Sequence, residues 1–177
     1  MAMIQTISPE KAGGKVAHIY GQIHEVIGRV PNGMQLFSSS PDLLEQQWQN
    51  MGYYMQHPTL SFPLLAMVRM LVSQDNQCEY CVGMNENMLI NMAGLSIDQV
   101  MATKQNPQNA PLEEKDKAML LFVLKATQNP KSVQSTDLDK LKTLGWAESE
   151  IMDAVFHGAR NIAIDVVFNT FKIENDL

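Results

Sequence analysis

The chain has few cysteines, little charge and no long apolar run, and each shortage excludes something. Two cysteines in 177 residues are too few for a secreted disulfide scaffold. The longest uninterrupted apolar run covers residues 118–124, far short of the roughly 20 residues that span a bilayer. Charged residues make up 18%, the net charge is −6, and there is no basic tract. Nucleic acid and anionic membranes attract clustered Lys and Arg, so no nucleic acid and no membrane partner is expected. The opening residues MAMIQTISPEK lack the basic and apolar segments of a secretory leader, and a cytoplasmic location is the expectation. Hydrophobic residues, at 45%, are too many for a disordered chain and enough for one core. A single domain over residues 1–177 is expected from that length.

Strand signals are missing too. No stretch alternates apolar and polar residues between hairpin turns, and no internal repeat stands out. What is present has helical spacing almost throughout. Val16, Ile19, Tyr20, Ile23, Val26, Ile27 and Val30 recur at i, i+3, i+4, i+7 and predict a helix over 15–30. Val30-Pro31-Asn32-Gly33 breaks it, and a polar loop should follow. Ser40 as N-cap and Pro41 at the first helical position open the next helix, which His57-Pro58 ends. Ser61 starts another, interrupted by Asp75 and Asn76. A helix over 78–93 should end at Gly94, and a short one should open on a Ser96–Gln99 capping box. Residues 105–111 read as a polar loop. Helices over 112–128, 136–144 and 147–172 complete an all-α bundle of about seven or eight helices.

Both cysteines fall in Cys78-Glu79-Tyr80-Cys81. A C-x-x-C of the thioredoxin type needs a βαβ setting, which this pattern does not offer. On a helix at roughly 100° per residue, positions three apart lie about 60° apart around the axis. That is within disulfide reach if the helix start is slightly unwound. Unpaired N–H groups near the helix N-terminus should favour a thiolate at Cys78. A dithiol so placed can cycle: one thiolate attacks and its neighbour resolves the adduct. Two other uses of the pair compete. Zinc wants about four ligands, whereas the chain has no second C-x-x-C and His18 and His24 stand at an unusual ligand spacing. No metal and no cofactor is therefore expected. Inert buried cysteines are the other alternative. Asp75, Asn76, Gln77 and Glu79 argue instead for a partly wet site.

The run Val72-Ser73-Gln74-Asp75-Asn76-Gln77-Cys78-Glu79-Tyr80-Cys81-Val82-Gly83-Met84-Asn85 resembles the core of the carboxymuconolactone decarboxylase-like superfamily, in its AhpD-like alkylhydroperoxidase branch. Trp48, His57-Pro58 and Leu60 resemble that branch's approach to its core, and the likeness extends over residues 44–101. The resemblance implies an all-helical subunit that assembles into a homotrimer or homohexamer. It implies reduction of a peroxide or disulfide substrate by the cysteine pair, with a thiol or lipoyl-type electron donor. It casts Cys81 as the peroxidatic thiol, oxidised to a sulfenic acid, and Cys78 as its resolving partner. Helix-dipole physics would prefer the reverse order.

Two positions depart from the family pattern, which has a histidine four residues after the second cysteine and a glutamate twelve before the first. Here Asn85 and Ala66 stand there. Asn85 lies one turn beyond Cys81 and can hydrogen-bond a sulfur or a water, but it cannot accept and return a proton near pH 7. Peroxidase chemistry is therefore expected to be weakened. Tyr80 and Glu79 are expected to line the site with Asn85. Glu86, five residues after Cys81, lies off its face, and His57 and His157 have ordinary structural uses; none is assigned as a replacement base. Met84, Met88 and Met92 follow Cys81 at spacings of four, and with Met67 and Met70 they should fill core or a subunit interface. The expected function is a thiol–disulfide oxidoreductase working through Cys78 and Cys81. A non-catalytic helical oligomer is the alternative, and a cofactor-free decarboxylase a lower one.

Overall fold

The computed structural model describes residues 3–176. Among these residues it is all-α, with nine α-helices, four short 3₁₀ turns and no strand. The helices group into two compact units, one of residues 3–56 with 167–176 and one of residues 57–166.

The first unit holds α1 (Gly14–Ile27), α2 (Asn32–Leu36) and α3 (Pro41–Met55). Helix α1 stops short of the expected Val30 because Gly28 takes a left-handed conformation (φ 82°) and its N–H bonds back to the His24 carbonyl. Where a polar loop is expected, α2 forms instead. The Pro31 carbonyl accepts from the N–H groups of Met34 (2.9 Å) and Gln35 (3.0 Å), and Met34, Leu36 and Phe37 are buried. Burial of those three side chains overrides the local turn preference of Pro-Asn-Gly. Val16, Ile19, Tyr20 and Ile23 of α1 and Leu44 of α3 are buried in this unit. Lys15 bridges Asp42 (2.7 Å) and Glu45 (2.6 Å) on α3.

The second unit holds α4 (Phe62–Asp75), α5 (Glu79–Asn91), α6 (Ile97–Gln105), α7 (Glu114–Gln128), α8 (Ser135–Thr143) and most of α9 (Glu148–Phe171). The Ser61 side chain caps α4 by accepting the Leu64 N–H, and Pro63 sits in the first turn where its missing donor costs nothing. Leu64, Leu65, Ala66, Met67, Val68, Met70, Leu71 and Val72 are all buried, so α4 is the central helix. It packs against α5 and α7. Gly158 lets α9 close on α7 and α4 at that point: a Cβ there would stand 2.7 Å from Val123 Cγ1, 3.1 Å from Thr127 Cγ2 and 3.5 Å from Val68 Cγ1. The predicted Ser96–Gln99 capping box opens α6, and Gly94 has the left-handed conformation (φ 73°) expected after α5.

The turn between α4 and α5 sets the cysteines. Asn76 caps α4, Gln77 is left-handed (φ 56°), and the Cys78 N–H reaches the Ser73 carbonyl (2.9 Å) while the Gln77 N–H reaches Gln74 (3.2 Å). These two bonds form a Schellman motif. They hold Cys78 at the N-cap of α5 with non-helical dihedrals (φ −92°, ψ 89°), the unwound start that the C-x-x-C geometry requires.

Candidate functional site

Three helices bring polar side chains to one seam, each at helical spacing of four. Helix α4 supplies Arg69 and Ser73, α5 supplies Cys81 and Asn85, and α9 supplies His157, Asn161 and Asp165. All belong to the second unit. Cys78, Cys81 and Asp165 are buried, and their ligating atoms all lie within 4.8 Å of one another. Neither cysteine is bonded to the other.

Asp165 is the centre of the hydrogen bonding. Its Oδ1 accepts from Ser73 Oγ (2.8 Å), and its Oδ2 accepts from Asn76 Nδ2 (3.2 Å) and Asn161 Nδ2 (3.1 Å). Asn161 also donates to Ser73 Oγ (2.7 Å), which fixes the hydroxyl as donor to the carboxylate. Burial pushes the Asp165 carboxyl above its ordinary range, while bonds from Ser73, both thiols and Asn76 pull the other way. The Cys81 thiol is held protonated, well above an ordinary cysteine. Its hydrogen bond to Cys78 is the leading cause, followed by burial and by its electrostatic coupling to Cys78 and Asp165.

One turn beyond Cys81, Arg69 meets α5 at Asn85. Its Nε donates to Asn85 Oδ1 (2.7 Å), one terminal nitrogen meets His157 Nε2 (3.3 Å), and the other lies 3.9 Å from Met88 Sδ. Among the described residues no carboxylate pairs with it. Burial is the leading cause that lowers its pKa, to about 10. His157 accepts from Arg69 and hydrogen-bonds the Leu65 backbone through its remaining nitrogen. Burial first, and then Arg69, hold its pKa at about 3, so the imidazole is neutral.

The predicted residues divide as follows. Cys78 and Cys81 are together but buried, at 1% and 5% exposure, so the expectation of a partly wet site is corrected. Asp75, Gln77 and Glu79 are exposed, whereas Asn76 is half-buried and bonds Asp165. Tyr80 and Asn85 are buried beside them on α5. Asn85 bonds no sulfur: it donates to the Cys81 carbonyl (2.8 Å) and accepts from Arg69. Glu79 is exposed in the first turn of α5, outside these contacts, where the helix dipole favours an acid. Glu86 pairs with Lys104, and His57 pairs with Asp153 (3.3 Å), both away from the thiol cluster. Ala66 is buried. The methionine stripe is only partly core. Met67 and Met70 are fully buried, Met84 and Met88 are half-buried, and Met92 is 68% exposed.

Sequence reasoning missed Arg69, Asn161 and Asp165, and saw Ser73 and Asn76 only as letters of a motif. The available signal was the polar stripe His157, Asn161, Asp165, each one turn apart on one face of α9. Ser73 and Asn76 needed a buried partner, and Asp165 is that partner.

Three donors of metal-binding type meet here, one fewer than a closed zinc tetrahedron takes, with a guanidinium next to Cys81. Two adjacent thiols and one carboxylate match dithiol chemistry more fully.

The fold is that of the AhpD-like peroxidase-related proteins. A peroxidase-related protein from Silicibacter sp. TM1040 superposes with a TM-score of 0.84 at 18% identity, covering 98% of this chain and 91% of its own. An alkylhydroperoxidase AhpD core protein from Ralstonia eutropha JMP134 gives 0.86 at 18% identity, with 99% and 92% covered. The debrominase Bmp8 gives 0.72 at 17% identity, with 97% and 90% covered; a cysteine-to-alanine variant of it was solved with 2,3,4-tribromopyrrole. No family model matches the sequence. No curated protein matches it.

Proposed function

We propose that the protein is a thiol–disulfide oxidoreductase that reduces a peroxide through Cys78 and Cys81. The observation that carries this is the cluster itself: two free thiols and a carboxylate with donor atoms no more than 4.8 Å apart. In the reaction one sulfur attacks the peroxide, the O–O bond breaks, and an alcohol leaves. The second thiol then displaces water from the sulfenic acid to form the disulfide. Two thiols, or one lipoyl-type dithiol, restore the pair and leave as a disulfide. Cys81 is assigned the attack and Cys78 the resolution. His157, with its pKa held at about 3, is too weak a base to take a thiol proton near pH 7, and Asn85 is an amide, so neither restores the relay that the family pattern has. The fold by itself accommodates proteins named for peroxide chemistry and one named for debromination, so the choice rests on the cysteine pair. A cytoplasmic setting suits the chemistry, because its thiol pools would keep the pair reducible.

The test is peroxide consumption by the reduced protein with a dithiol donor, followed by mass. The expected product is a protein lighter by two hydrogens with Cys78 joined to Cys81. A sulfenic-acid trap should label Cys81 in a Cys78→Ser variant. Neither turnover nor disulfide would leave the non-catalytic oligomer as the better account. Full activity in Cys78→Ser would point to the decarboxylase-type chemistry.

A further inference from the structure

Resting on the dithiol–disulfide reading above, we infer that Asp165 is a catalytic residue. It receives the thiol proton when the pair reacts, and it takes up a proton from solvent once the disulfide has formed.

Asp165 is built into the site from three sides. Ser73 and Asn76 reach it from the α4 end, Asn161 from one turn back on α9, and both thiols from the start of α5. Every one of these partners is a neutral donor. The titratable groups that face the cluster are few. On α5 and its N-cap they are Cys81 and Cys78 themselves. On α4 it is Arg69, whose guanidinium bonds Asn85 and His157. On α9 it is His157, which is neutral. The carboxylate is therefore a buried negative charge stabilised by hydrogen bonds alone, and two of its donors are the S–H groups that the reaction consumes.

That arrangement fixes where the protons go. The Cys81 thiol is held protonated and needs a base, and Asp165 is the carboxylate within its reach. The Cys81 proton passes to Asp165, the sulfur takes the outer peroxide oxygen, and Asp165 returns the proton to the departing alkoxide. It then takes the Cys78 proton as that sulfur attacks, and gives it to the hydroxide that leaves as water. The sum is two thiols and one hydroperoxide converted to one disulfide, one alcohol and one water. In the disulfide state both S–H donors are gone. The ionised carboxylate has lost two hydrogen bonds without leaving its buried position, so its pKa rises and it binds one further proton.

The consequence is a thermodynamic signature. Oxidation of an ordinary dithiol by oxidised dithiothreitol moves no net proton below the thiol titrations. Here the exchange would consume one, so acid would favour the oxidised protein. The experiment equilibrates the full-length protein with dithiothreitol buffers from about pH 5 to about pH 8 and quantifies disulfide by mass. The wild type should shift towards disulfide by up to tenfold per pH unit of acidification over part of that range. Asp165→Asn, with unchanged helical circular dichroism, should be flat and should lose about 10²–10⁴-fold in peroxide consumption. A second readout needs no variant: the infrared difference spectrum on oxidation of the wild type should gain a protonated carboxylic-acid band. A wild type that forms the disulfide with a flat pH profile and no such band overturns the proposal, as does an Asp165→Asn variant that keeps the slope. A protein that forms no disulfide overturns the parent reading, and this one with it.

Discussion

His157 is a buried imidazole that the fold keeps neutral, and its cost appears when acid would charge it. Its pKa lies at about 3 in the folded protein against 6.5 for an ordinary histidine. Between those values the unfolded chain binds the extra proton, so stability rises with pH and is lost as pH falls from 6.5 towards 3. The slope is about 1.4 kcal/mol per pH unit while the unfolded histidine is charged and the folded one is not. Asp165, raised above its ordinary value, acts with the opposite sign, because the folded state then binds more protons. The His157 contribution is therefore read as the difference between wild type and His157→Gln in urea melts across acid pH. That difference should vanish in slope above about pH 7. Arg69 is one source of the depression, so Arg69→Gln should raise the His157 pKa in an NMR titration; an unmoved value would remove the guanidinium as a cause. At this scale the sequence named the two sulfurs and the two missing relay residues. It could not name Asp165, because position 165 is far from position 78 in the chain and only α9 packing joins them.

At the scale of elements, α9 depends on one absent side chain. A methyl group on Gly158 would press into Val123, which is itself fully buried and cannot swing away. Overpacking of this kind costs about 1–3 kcal/mol, partly offset by the better helix propensity of alanine, about 1 kcal/mol. Gly158→Ala should lower stability by a net of up to about 2 kcal/mol in a denaturant titration, and Val123→Ala in the same chain should recover part of it. Additive losses in the double variant would show that the two positions do not compete for space. Helix boundaries were readable where caps are local: Ser61, the Ser96–Gln99 box and Gly94 each act within a few residues. Helix α2 was not, because Pro31-Asn32-Gly33 reads as a turn until Met34, Leu36 and Phe37 have a core to enter. Gln77 in a left-handed conformation was equally hidden. No residue type there announced it, and the Schellman bonds of Cys78 and Gln77 impose it.

At the scale of the molecule, every side chain of the thiol cluster comes from residues 57–166, and the other unit carries its own apolar centre of Ile19, Ile23 and Leu44. No helix among the described residues is long and apolar enough to cross a membrane. Val26, Leu43, Tyr53 and Met55 are nonetheless exposed on the first unit. We expect the protein to sediment as a homotrimer or homohexamer at micromolar concentration. A monomer across that range would remove the oligomer proposal without touching the cysteine chemistry.

The sequence determined what depends on neighbours along the chain. Helical periodicity set an all-α fold, caps set most of the boundaries, and a three-residue spacing placed two thiols at one helix start. Only the tertiary structure decided what surrounds those thiols. Two helices, α4 and α9, from stretches up to 96 positions apart in sequence, as Arg69 and Asp165 are, supply the guanidinium, the carboxylate and the neutral imidazole. The same packing buries the pair that local polarity had suggested was wet. Burial and long-range pairing are properties of helices meeting in space, and a one-dimensional pattern carries them only as unexplained polar residues on apolar faces.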